Sequence, residues 1–277
     1  MGLEKNSHQV GVQDYFVNKK TNKTALECDG DLSNADYSGF DSNLYKYLNE
    51  KSISEMIKVN SEITKVLSKF KVSININMNI LSNLVQNHLP HTKNIALGIA
   101  NYIPKKFQSK INRKALTKAT YLHDIAKVIM PENIINKPGV LTEDERKIMS
   151  KHADLSYEML KTTDLDIETL NLIKNHHSHS PKTTNPIENE NHIDNINLQI
   201  LSMADIYSAL REKRCYKDAL SKEKALEIIS KEVEKGKFHS CVYKALVEYA
   251  KNEEKTLSKK DSKWKIFNLK PINSLST

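Results

Sequence analysis

Glycine is scarce in this chain of 277 residues. Of seven glycines, four precede residue 46, and only Gly98, Gly139 and Gly236 follow Gly39. Strand-rich folds turn on glycine, and phosphate-cradling loops need several together, so β architecture and dinucleotide or P-loop sites are not expected beyond the N-terminal segment. Cysteine is equally sparse: Cys28, Cys215 and Cys241 are odd in number and far apart, which suits a reducing cytoplasm and not a disulfide framework. No uncharged apolar run approaches the roughly 18 residues of a membrane span. The opening "MGLEKNSHQV" lacks a basic-then-apolar signal, and Asn6 stands where a myristoylation motif carries Ser or Thr. The expected location is cytoplasmic. Aromatic content is 6%, and no nucleic-acid reading motif is visible.

What the sequence has in quantity is charge and helical pattern. The net charge is +8, and residues 251–277 hold seven Lys against three acids, whereas residues 1–45 hold four Lys against seven acids. A basic tail of this kind is ordinarily a solvated segment; nucleic-acid or membrane-surface contact is the lesser reading. Long stretches without Gly or Pro, such as 187–235, argue for helices. Four segments follow: a polar N-terminal tail (1–45), a linker or packing helix (46–84), a helical domain (85–250) and a basic C-terminal tail (251–277). Within 46–84, Leu48, Ile53, Met56, Ile57, Ile63 and Val66 fall near helical spacing. Val72, Ile74, Ile76, Met78 and Ile80 then alternate with polar residues, which leaves a short strand, a helix and an extended linker open. In "KPGVLTEDERKIM", Thr142 followed by Glu145 predicts a capping box that opens a helix.

Five places put metal-ligand side chains on apolar helical faces. His91 shares a face with Ile95 and Tyr102, His123 with Leu116, Ala119 and Ala126, and His152 with Ile148, Leu155 and Met159. His176 and His177 close the run "LNLIKN", and Asp205 sits inside "LQILSMADIYSAL". One such histidine alone reads more readily as a packed boundary residue than as a ligand. Asp205 does not, because a carboxylate among Leu201, Met203, Ala204 and Ile206 carries a desolvation cost unless it is paired or bound to a cation. Neutral imidazoles and carboxylates converging in a helical core are what divalent transition metals require.

The order His91, His123-Asp124, His152, His176-His177, Asp205 resembles the HD superfamily of metal-dependent phosphohydrolases, and most closely its HD-GYP branch, which hydrolyses cyclic di-GMP. The run "LHDIAKVIMPENIINKPGVLTEDERKIMSKH" (122–152) is similar to that branch's signature nearly throughout, with Ala126 where the family has Gly. The resemblance continues through "ILSMADIYSALREKRCYKDALSKEKAL" and covers roughly 85–250.

It implies an all-α, compact HD-domain helical bundle with a helical N-terminal linker and poorly ordered termini. By the same resemblance His91, His123, Asp124, His152, His176, His177 and Asp205 are metal ligands. Asp124 bridges two divalent ions, of iron or manganese, with zinc also compatible. Asp124 and Lys127 serve catalysis, and Arg214 and Lys217 hold substrate phosphates. The implied activity is in-line hydrolysis of a cyclic dinucleotide such as cyclic di-GMP, or of a related nucleotide phosphoester. A homodimer and a protein partner held through the termini are further partner expectations.

Two departures qualify the resemblance. Ser178 replaces a Glu after the histidine pair. Pro181, Lys182, Thr184 and Asn185 then replace most of the Asp-Gly-x-Gly-Tyr-Pro loop, leaving Pro186 as its one match. The alternative function is therefore a signalling module that binds metal and a nucleotide or protein partner without turnover. Asn87 stands where some family members place a Glu for a third metal, which favours two ions. His88, three residues before His91, is weighed as a competing ligand.

Overall fold

Side-chain caps set most of the helix starts. The computed structural model describes residues 42–178, 193, 195–213 and 218–252. The two tails expected to be poorly ordered therefore lie almost wholly outside the described residues. The helices are α1 (Glu50–Val59), α2 (Ser61–Ser68), α3 (Met78–Asn83), α4 (Leu89–Tyr102), α5 (Lys105–Gln108), α6 (Arg113–Leu122) and α7 (Glu132–Ile135). After these come α8 (Glu143–Met149), α9 (His152–Leu160), α10 (Ile167–Asn175), α11 (Ile196–Arg211), α12 (Lys222–Glu234) and α13 (240–252). Asn49, Asn60, Asn112, Asp166 and Ser221 each accept a bond from a backbone N–H in the first turn they precede. Thr142 and Glu145 form the expected reciprocal box at α8.

The most apolar helix becomes the axis of the fold. Every residue of α11 from Ile200 to Leu210 is buried, as a helix apolar on all sides must be. It packs on α4, α12, α6 and α10, while α4 also packs on α6 and α10 on α9. α13 closes the bundle through Val242, Ala245, Leu246 and Ala250. Its Tyr249 ring lies so close to Gly98 of α4 that a Cβ there would fall 2.1 Å from a ring carbon. Among the described residues the protein is helical and has no strand, as the all-α expectation requires.

The segment before the bundle is bound into the same core. Leu44, Tyr47, Leu48, Ile53, Met56, Ile63 and Leu67 join it. α1 and α2 lean on α9, Asn60 Nδ2 donates to the Glu158 carbonyl (2.7 Å), and Lys46 and Tyr47 both donate to the Asp164 carboxylate. The alternating stretch before α3 is extended but unladdered. Val72, Ile74 and Ile76 turn toward the core, Lys71, Ser73 and Asn75 are exposed, and Asn77 N–H bonds the Val128 carbonyl. The period-two pattern thus records one-sided burial of an extended linker, without a partner strand among the described residues.

Candidate metal centre

The helix ends, more than the helix middles, deliver the site. His88 closes a single π-helical turn, Leu84–His88, that leads into α4. There Leu89 N–H bonds the Leu84 carbonyl five residues back, and Pro90 has no N–H with which to restore the four-residue ladder. His123 caps the C-terminus of α6. Asp124 follows with φ −105° and ψ 7°, the sparsely allowed bridge region, at the start of a 3₁₀ turn, Ile125–Ile129. His152 opens α9, His176 caps the end of α10 with His177 next to it, and Asp205 projects from the middle of α11.

These groups meet in two clusters, His88, His123, Asp124 and Asp205 in one and His152, His176 and His177 in the other; the ligand atoms of each lie within 4.8 Å of one another. Asp124 stands between them. Its Oδ2 is 3.4 Å from both His88 Nε2 and His123 Nε2, and its Oδ1 is 3.2 Å from His152 Nε2 and 3.9 Å from His176 Nε2. Asp205 Oδ1 completes the first cluster, 3.1 Å from His88 Nε2 and 3.7 Å from His123 Nε2. In the second, His152 Nε2 lies 3.3 Å from His176 Nε2 and 2.9 Å from His177 Nε2. All are buried except His177, the most accessible of the set.

The ring orientations follow from the backbone. Nδ1–H of His123, His152 and His176 donates to the carbonyl three residues earlier, of Thr120, Met149 and Ile173 (3.1, 2.6 and 2.7 Å). Each Nε2 is thereby turned inward, where it can offer a lone pair to a cation. With Nδ1–H of each turned to the backbone, the Nε2 atoms of His152 and His176 face each other at 3.3 Å, a contact that a cation between them would relieve. His88 Nε2, His123 Nε2 and Asp124 Oδ1 are buried without a hydrogen bond of acceptable geometry. Orphaned groups of this kind, mixed imidazole and carboxylate, fit divalent transition ions.

Charge divides the two halves. Burial, and the neighbouring His177, His123 and His152, hold His176 well below its usual value, so it is neutral. Burial also opposes charge on His123, yet the adjacent Asp124, with Asp205, outweighs it and lifts His123 to about 10. Against burial, Lys127 and His123 keep Asp124 well below the usual carboxylate range, and His123 and His88 do the same for Asp205. Lys127 reaches in from the 3₁₀ turn, its Nζ 2.5 Å from Asp124 Oδ2.

Six of the seven residues expected as ligands are brought together. His91 is not among them: its Nδ1 lies 3.1 Å from Ser208 Oγ and 3.4 Å from Glu212 Oε1, and His88 occupies the inward place. His88 closes the π turn and His91 lies one turn further along α4, on the Ser208 and Glu212 side. Arg214 and Lys217 lie outside the described residues, as does the loop from His179 to His192. Glu212 was not singled out from the sequence; its signal was a spacing of seven from Asp205, two turns along one face of α11.

Comparison with known proteins places the chain in a family. The HD domain family matches residues 75–241. A cyclic di-GMP phosphodiesterase of Vibrio cholerae is 30% identical over 121 residues, 41% of this chain and 25% of that protein. A 3'3'-cGAMP-specific phosphodiesterase of the same organism is 25% identical over 170 residues, 61% of this chain and 39% of its own. A cyclic di-GMP phosphodiesterase of Thermotoga maritima is 27% identical over 154 residues, 54% of this chain and 41% of its own. The chain thus spans between a quarter and about two fifths of these relatives. With the donor clusters in place and the match covering more than half its length, the chain belongs to the HD domain family, on the HD-GYP branch of the superfamily.

Proposed function

We propose that this chain is a metal-dependent phosphodiesterase that hydrolyses a cyclic dinucleotide, with cyclic di-GMP and 3'3'-cGAMP the first substrates to test. The observation that carries the reading is Asp124, which turns one oxygen to each donor cluster. His88, His123 and Asp205 would hold one divalent ion and His152, His176 and His177 the other, with Asp124 shared. Ions bound there would supply an activated water and offset charge during in-line displacement at phosphorus.

The chain's own residues do the rest. The i−3 carbonyls hold three imidazoles with Nε2 inward, so no ring must reorient when the site fills. The buried walls of α4, α6 and α11 keep bulk water from the inner cluster. Lys127 balances Asp124 and is placed to offset charge developing on a phosphoryl oxygen. Hydrolysis adds one water across a P–O bond, with oxygen joining phosphorus and a proton leaving with the sugar oxygen.

Protein purified without oxygen and loaded with manganese or iron, offered a panel of cyclic dinucleotides and mononucleotides, tests this directly. Turnover of at least one should exceed that of Asp124→Ala by orders of magnitude; equal rates would end the proposal. Ser178 and the substituted loop motivate the second reading, a metal-binding module without turnover. That reading expects manganese to raise the melting temperature while no substrate is consumed.

A further inference from the structure

His88 is held differently from its neighbours. Where His123, His152 and His176 give Nδ1–H to a carbonyl of their own helix, His88 Nδ1 faces a side chain, the Glu212 carboxylate, at 3.0 and 3.1 Å. Glu212 sits at the C-terminal end of α11, seven residues from Asp205. A single helix therefore faces both nitrogens of His88, with Asp205 Oδ1 3.1 Å from the orphaned Nε2 and Glu212 paired to Nδ1. Glu212 is itself anchored, because Ser208 Oγ–H donates to its Oε1 at 2.6 Å and His91 Nδ1 approaches both groups. Its side chain is 16% exposed, so the anion is largely shielded from water.

We infer that Glu212 is a positioning residue for the metal centre: it fixes the tautomer and aim of His88, and through His88 it strengthens the hold of the His88–His123–Asp205 half on its cation. This rests on the two-cation reading. An imidazole that gives its second N–H to a carboxylate is a more basic ligand than one paired to a carbonyl, and its ring cannot swing away. It also concentrates anionic charge on one side. Asp205 and Glu212 serve the first cluster, while the second is built of His152, His176 and His177. The two halves should bind unequally, and Glu212 should set part of the difference. His91 then has a structural account as well: it completes the hydrogen-bonded ring with Ser208 and Glu212 that ties α4 to α11.

Calorimetric titration of manganese into the full chain, stripped of metal, tests this with Glu212→Gln, which keeps size and an acceptor oxygen, and Glu212→Ala, each alone and combined with His88→Ala. Thermal melts confirm that each variant folds. Wild type should show two binding steps. Glu212→Gln and Glu212→Ala should weaken one step by about 10- to 100-fold and leave the other unchanged. In the His88→Ala background Glu212→Gln should have no further effect, because it acts through that ring. Unchanged binding in Glu212→Gln, a loss spread over both steps, or an additive loss in the double variant would overturn the inference while leaving the two-cation reading intact. A wild type that bound no manganese would overturn the reading itself, and this inference with it.

Discussion

Metal entry into this site should expel protons, and the structure indicates how many. Asp124 and Asp205 flank His123 Nε2 at 3.4 and 3.7 Å and lift His123 to about 10, so without a cation this nitrogen should hold a proton. A cation needs that lone pair, while Nδ1–H stays on the Thr120 carbonyl. His88 is likewise raised above its usual value: burial opposes this, but bonds to Asp205 and Glu212 prevail. Near neutral pH, binding should therefore release about one proton per chain from His123 and a further fraction from His88. Each proton displaced makes apparent affinity rise about tenfold per pH unit. Between about pH 6 and about pH 8 the His123 proton alone gives about 100-fold, or about 2.7 kcal/mol. Manganese titrated calorimetrically in two buffers of different ionisation enthalpy reads the proton count as a slope. A slope near zero, with affinity flat across that pH range, would show that the carboxylates do not hold a proton at the site.

The same shifts bear on the empty protein's stability. A histidine raised above its unfolded value stabilises fully below about 6.5, and its contribution is lost as pH rises through the folded value of about 10. The lowered Asp124 and Asp205 contribute above about pH 4 and lose it as pH falls through their lower folded values. Metal-free melting temperature should thus rise toward about pH 6.5, because His176 and His177 are held neutral in the fold but take up protons in the unfolded chain, and decline from there toward alkaline pH as the His123 contribution is lost; added manganese should reverse that decline, and a rise continuing from neutral to alkaline pH would contradict the pairing. Gly98→Ala should lower stability by about 1–3 kcal/mol, since its Cβ would meet the Tyr249 ring at 2.1 Å, and a chemical melt identical to wild type would show that α4 and α13 are not in contact. Thr142→Ala should cost about 1 kcal/mol through loss of the α8 capping box, with manganese affinity unchanged because α8 contributes no ligand.

Most of the candidate site was legible through the order of its His and Asp residues, which resembles the HD signature; the apolar pattern alone left each histidine a packed boundary residue. Asp205 among Leu201, Met203 and Ile206 demanded a partner, His123 followed directly on the buried turn Ala119–Leu122, and His176 came three residues after buried Ile173. The choice between His88 and His91 was not legible. The two are three residues apart and share a face in a regular helix, so spacing alone cannot choose; the choice follows from how α4 sits against α11, which places His88 by Asp205 and His91 by Ser208 and Glu212. Glu212 escaped for a related reason: a lone Glu at a helix end looks solvated until a histidine from another helix is placed against it. The alternation from Val72 to Ile76 reported burial correctly but could not say whether a neighbouring strand existed.

The shared carboxylate is the centre of the account, and metal stoichiometry tests it most directly. Elemental analysis of freshly purified protein beside Asp124→Ala should find two divalent ions per wild-type chain and one or fewer in the variant. Two ions retained in Asp124→Ala, or none in wild type after manganese loading, would contradict it.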